Sequence, residues 1–183
     1  MGTCGALGDM PRLLLPGVEM RASFVEAMGE FRAEGRGGEH DRSMVGDEIR
    51  DGRWETAEGF GEFVADLRAA AVDEPRAGRV RCTSWWWCDG TTYLGRIALR
   101  HGLTERLRKI GGHVGYDVRP TVRRRGHGTA MLAAVLPKAR ELGLEQVLIT
   151  CDEDNKGSRA VIEANGGVLE YEGEDIRRYW VST

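Results

Sequence analysis

One mixed α and β domain, an α/β or α+β fold with helices on the faces of a single sheet in the order ααβββαβαββ, is what the sequence predicts. Three observations carry it. Apolar residues recur at helical spacing before residue 75, the period shortens to two from Val80, and from Gly128 onward helical and strand patterns alternate. A length of 183 residues suits one core. The domain is expected over 12–183, with the Gly-rich, unpatterned residues 1–11 expected to be disordered.

Ser23-Phe24-Val25-Glu26 has the form of a capping box and Phe24, Met28 and Phe31 follow at helical spacing, so a first helix is expected over Phe24–Glu34. Gly35 to Gly52 carries neither period and reads as a long loop. Phe60, Phe63, Val64, Leu67 and Ala71 mark a second amphipathic helix. Strands Val80–Trp87 and Thr91–Arg100 are joined across Asp89-Gly90, which suits a type I′ turn. Alternation places Tyr93, Gly95, Ile97 and Leu99 on one face and Leu94, Arg96, Ala98 and Arg100 on the other, with Trp85, Trp86 and Trp87 pointing alternately to both. A further strand follows over Gly112–Val118. A helix over Gly128–Leu142 is then expected to kink at Pro137. The buried strand Val147-Leu148-Ile149, a helix over Ser158–Asn165 and the strands Val168–Tyr171 and Ile176–Val181 complete the order.

A formal net charge of −3 gives no global attraction to nucleic acid or to anionic membranes. The run Leu13-Leu14-Leu15 is too short and too charged at its flanks to span a bilayer, so a cytoplasmic protein is expected. Four cysteines without CxxC spacing and four unclustered histidines predict no metal.

The chemistry is concentrated in Arg123-Arg124-Arg125-Gly126-His127-Gly128-Thr129, between a strand and a helix. Glycines let the chain turn sharply and bring backbone N–H groups close to a ligand. The helix N-terminus adds unpaired donors and about half a positive charge. A Walker loop needs Gly-Lys-Ser/Thr, which is missing after Gly128, and a dinucleotide loop needs a small residue where Met131 stands.

Val118-Arg119-Pro120 followed by this loop resembles motif A of the GNAT acyltransferase superfamily. Cys151-Asp152-Glu153-Asp154-Asn155-Lys156-Gly157-Ser158 through Ile162 to Gly167 resembles its strand, asparagine, helix and Gly-Gly ending. The phrases Tyr93 to His101 and Gly111 to Tyr116 are similar to a bacterial subgroup of predicted acetyltransferases. The resemblance implies a mixed, mostly antiparallel sheet splayed between its fourth strand (Gly112–Val118) and its fifth (Glu145–Thr150). It also implies acetyl-CoA as co-substrate, with diphosphate on Arg123, Arg124, Arg125, Gly126, His127, Gly128 and Thr129. The pantetheine arm would lie in the split beside Val118, with Asn155 and Ser158 on the other wall.

Transfer to an amine needs a neutral nitrogen, and for a lysine-like amine at pH 7 deprotonation costs roughly 4–5 kcal/mol. His113 is the first candidate base, followed by Asp152 and Glu153. Many family members place an acidic Tyr where Ile162 stands here, so the proton for the leaving thiolate falls to Ser158, Tyr116 or water. Arg96, Arg100 and His101 read as a polar cluster, suited either to a substrate carboxylate or to a tie with Asp47-Glu48. The expected acceptor is the amine of a small molecule or peptide. The alternatives are charged tRNA as donor, on the same fold, and an acyl-CoA sensor without catalysis. A homodimer through the terminal strands is compatible with the pattern.

Overall fold

The computed structural model describes residues 10–183, so the expectation for 1–11 falls outside the described residues apart from Met10 and Pro11. Its elements are β1 (Arg12–Leu14), α1 (Arg21–Ala33), α2 (Met44–Asp51), α3 (Ala57–Ala69), β2 (Cys82–Asp89), β3 (Thr92–Arg100), α4 (Glu105–Lys109), β4 (Val114–Val118), α5 (His127–Glu141), β5 (Gln146–Asp152), α6 (Lys156–Ala164), β6 (Val168–Glu172) and β7 (Ile176–Ser182). The expected order holds except that it lacked β1, α2 and α4.

Each omission has a physical cause. Strand β1 is three residues long and takes its place by pairing Leu13 and Leu14 with Trp87 and Trp86, a contact about seventy residues away in sequence that no local pattern announces. The segment expected to be a loop folds into α2 because Ser43 caps it, accepting from the Gly46 N–H at 3.0 Å, and Val45 and Ile49 bury its inner face. Thr104 does the same for α4.

Helix α1 begins before the expected capping box. Ser23 lies inside it, and its hydroxyl accepts instead from the Tyr93 N–H at 3.0 Å and from Arg119 at 3.1 Å. Helix α5 continues through Pro137 to Glu141.

The strands form two antiparallel sheets, β1-β2-β3-β4 and β5-β7-β6, parted between β4 and β5 as the resemblance implied. Trp87 pairs with Gly95 and Cys88 with Tyr93, which leaves Leu94 as a bulged residue. That extra residue reverses the alternation, so the expected grouping of Tyr93 with Ile97 and Leu99 is wrong. Leu94, Ile97 and Leu99 pack with α5 residues Met131, Leu132 and Val135, while Tyr93 joins the core beneath α1 to α3. There Phe24 stacks on Trp86 at 5.1 Å and meets Tyr93 edge-on at 5.3 Å. Trp85 and Trp87 face the first core and Trp86 the second, as alternation requires. In the hairpin only Gly90 takes positive φ, at 57°, so the turn is not type I′.

Candidate active site

The split closes at Gly112-His113. The His113 N–H donates to the Leu148 carbonyl at 2.7 Å, and the Leu148 N–H donates back to His113 Nδ1 at 2.8 Å. The ring thus stands in for a backbone acceptor where the ladder ends. Gly112, at φ 57°, runs so close to β5 that a Cβ there would lie 2.3 Å from the Leu148 oxygen. Arg100 braces the same turn, donating to the carbonyls of Gly111 at 2.8 Å and Gly112 at 3.0 Å. Beyond this pin the strands diverge.

The divergence opens a cleft of about 770 Å³ between β4, the loop before α5, and the start of α6. Tyr116, Val118, Arg123, Arg124, Gly126, His127, Gly128, Thr129, Asn155 and Ser158 all line it, so most of the expected cofactor residues and two of the expected catalytic ones converge. In the loop Arg124 has φ 64° and Gly126 φ 82°. Left-handed residues in such a turn make successive N–H groups point to one side, which forms an anion-binding concavity. Among the described residues, no protein acceptor takes the N–H groups of Arg124 through Thr129. The first bonded amide after them is that of Ala130, which donates to the Gly126 carbonyl. Gly128 lets α5 approach α6, since a Cβ there would be 3.0 Å from Val161. These features fit a diphosphate at the head of α5.

The side chains around the loop are less mobile than three consecutive arginines suggest. Arg123 pairs with Glu34 at 2.8 Å and also donates to the Val118 carbonyl at 3.1 Å. His127 Nδ1 accepts from the Trp87 indole at 3.2 Å. Asn155 caps α6, its Oδ1 accepting from the Ser158 N–H at 2.9 Å. Across the cleft the Tyr116 hydroxyl and Ser158 Oγ lie 2.7 Å apart, joining β4 to α6. Burial pushes the Tyr116 phenol above its usual range, so it stays protonated at neutral pH and is suited to donate a proton.

Several expected site residues lie elsewhere. His113 is buried at the closed end, and burial together with Arg108 and Arg100 pulls its pKa down to about 4. Glu153 points away from the cleft and pairs with Arg177 at 2.8 Å. Arg96, Arg100 and His101 do not form one cluster. Arg96 is buried against Glu48 and Ser84, Arg100 holds the Gly111-Gly112 turn, and His101 Nε2 meets Thr83 Oγ1 at 2.8 Å. The tie to the Asp47-Glu48 segment is therefore the reading the structure supports. Ile162 is wholly buried in the core on the α5 side of the sheet.

Among the cleft residues that were not anticipated are Asp117 and Arg36. Strand alternation next to Tyr116 could have pointed to Asp117. Arg36 sits in the segment misread as loop, and nothing local marks it.

A model of the acetyltransferase (GNAT) domain matches residues 40–168. The chain belongs to the GNAT acetyltransferase family. It is accordingly an acetyl-CoA-dependent N-acetyltransferase, with acetyl-CoA as co-substrate. A comparison with curated protein sequences finds no match. Among solved structures, the microcin C7 self-immunity acetyltransferase MccE, in complex with acetyl-CoA and AMP, is 14% identical with a TM-score of 0.68, covering 96% of this chain and 93% of that one. Mycobacterium smegmatis RimJ, in complex with CoA-disulfide, is 17% identical with a TM-score of 0.66, covering 96% and 87%. RimL, a ribosomal L7/L12 α-N-protein acetyltransferase in complex with coenzyme A, is 14% identical with a TM-score of 0.64, covering 96% of each chain. At these identities the likeness concerns the fold. Among the described residues of the acetyltransferase, no helix is long and apolar enough to cross a membrane, and no group of three or more His, Cys, Asp or Glu is placed to hold a metal ion.

Proposed function

We propose that the acetyltransferase binds the diphosphate of acetyl-CoA on the amides of Arg124 to Thr129 and the pantetheine arm between β4 and α6, and that it acetylates the primary amine of a peptide or small molecule. The observation that carries this is the row of amides without protein acceptors, at a helix N-terminus, opening into a cleft of about 770 Å³. Acetyl-CoA supplies an activated carbonyl; the chain supplies position and protons. Arg124 adds charge beside the loop, while Val118 and Ser158 form opposite walls. The Tyr116 hydroxyl, held by Ser158, is our candidate donor to the leaving sulfur, in the role that Ile162 leaves open. His113 acts as the pin of the split rather than as a base, because Leu148 already occupies its Nδ1. RimL is described as an acetyltransferase of a ribosomal protein's α-amino group, which makes protein N-termini the first acceptors to try.

Calorimetry with CoA tests the cofactor site. Wild type should bind with a dissociation constant of about micromolar, and Gly126→Asp should weaken this at least about a hundredfold. The aspartate brings strain at φ 82° and a negative charge facing the phosphates. Equal binding by both proteins would refute the loop assignment.

A further inference from the structure

Among the described residues lining the cleft, Asp117 is the one acid. It lies on β4 between Tyr116 and Val118, which pack toward α5, so strand alternation turns its carboxylate to the opposite face, toward α1 and α2. Its Oδ1 accepts from Arg36 Nη2 at 3.3 Å, and Arg36 Nε donates in turn to Asp41 at 3.0 Å. Asp41 is itself fixed by the Gly37 and Ser43 N–H groups and the Ser43 hydroxyl, at 2.9, 3.0 and 2.6 Å. Arg36 is the one hydrogen-bond donor to this carboxylate among the described residues, which leaves Oδ2 without one. A carboxylate held at one oxygen and free at the other is built to meet a cation.

We propose that Asp117 receives the acceptor's ammonium group and takes its proton, serving as the general base of the acetyl transfer. The assignment rests on the cleft being the acetyl-CoA site. It places the amine on the α2 side of β4, across the strand from the Tyr116 hydroxyl, so that base and acid flank the thioester. An N–H bond of the ammonium breaks and its proton moves to Oδ2. The nitrogen lone pair forms the C–N bond to the thioester carbonyl carbon, and the C–S bond breaks. The Tyr116 hydroxyl gives its proton to the sulfur as the thiol forms, the nitrogen's surplus proton restores that hydroxyl through water, and Asp117 returns its own proton to water.

The surroundings suit a base. Burial pushes the Asp117 carboxyl up, toward the range where it exchanges protons readily, against the pull of Arg96 on β3 and of Arg36. Asp41 on the segment between α1 and α2 adds to the upward push. Glu48 on α2 and the Tyr93 phenol on β3 lie within reach of its charge, and Arg123 and Arg124 line the same cleft. Of the other acids considered, Glu48 is committed to Arg96 and Glu153 to Arg177, and Asp152 does not line the cleft.

The test compares nucleophiles at neutral pH: simple alkyl amines and an N-terminal peptide, which are protonated there, against hydroxylamine, which is largely neutral. Asp117→Asn should cut kcat/KM about a hundredfold or more for the alkyl amines, about tenfold for the N-terminal peptide, whose α-amine is already about a tenth neutral at pH 7, and by less than about threefold for hydroxylamine. CoA affinity, measured by calorimetry on the same sample, should stay at the wild-type value. In Arg36→Gln the acidic limb of the pH–rate profile should move to higher pH, because the charge favouring ionised Asp117 is gone. Equal losses with both nucleophile classes, no loss with either, weakened CoA binding in Asp117→Asn, or a wild type that uses hydroxylamine alone would each overturn the assignment while leaving the cofactor site standing. A wild type that binds no CoA would remove both.

Discussion

Replacing His113 probes the feature that opens the active site. The neutral ring is the native form, because a protonated Nδ1 cannot accept from the Leu148 N–H. An unfolded histidine takes up its proton near pH 6.5, whereas the folded one does so only near 4. Between those values the unfolded chain holds more protons. The contribution is therefore complete above about pH 6.5 and falls as pH drops toward 4. It amounts to about 2–3 kcal/mol once solvent screening of Arg100 and Arg108 is allowed for.

His113→Ala at pH 7 orphans a buried N–H, at about 1–3 kcal/mol, and also removes the ring beside Trp180. A total loss of about 3 kcal/mol would lower the urea midpoint by about 1.5 M. His113→Asn places an oxygen where Nδ1 stood, so it keeps the acceptor but cannot titrate. Its expected loss at pH 7 is about 1 kcal/mol, and its stability relative to wild type should improve by about 2 kcal/mol between pH 7 and pH 4.5. Urea unfolding at the two pH values measures both. An alanine variant within about 0.5 kcal/mol of wild type at pH 7, or an asparagine variant with the wild-type pH dependence, would refute the pin.

Two further outcomes follow from neighbouring geometry. Gly112→Ala should cost at least about 3 kcal/mol or prevent folding, since its Cβ would sit 2.3 Å from a backbone oxygen, whereas Gly61→Ala, with nothing within 4 Å inside α3, should stabilise by about 0.5–1 kcal/mol. Arg96→Met should cost about 3–5 kcal/mol in thermal or urea unfolding, because burial already pushes Glu48 up to about 7 and its remaining charge would lose its partner. Adding Glu48→Leu to that variant should restore most of the stability, which a purely local packing defect at Arg96 would not permit.

From β2 onward all the elements but the short α4 were legible because period and punctuation agree with the final packing. Val147 to Ile149 reads as buried strand and is one, and Asn155 with Gly166-Gly167 brackets α6. Motif A was readable for the same reason. Its turn is dictated by the glycines and by the helix that follows, all within a few residues. Contacts between distant residues were not readable. Strand β1 exists through its pairing with β2, α2 through a cap and a buried face that a charged, Gly-rich composition obscured, and the reversal of faces in β3 through one bulged residue.

What the sequence determined by itself was therefore local: the loop that presents amides at a helix start, and the alternation and spacing of the elements around it. Tertiary structure decided which titratable groups face the cleft. His113 reads as a base in the chain and becomes a pin because β5 offers it an N–H. Glu153 is drawn off by Arg177 on β7, and Asp117 gains its position from Arg36, about eighty residues away. Proton affinity depends on burial and on charged neighbours, and both are set by which distant segments come together rather than by the residue's own surroundings along the chain.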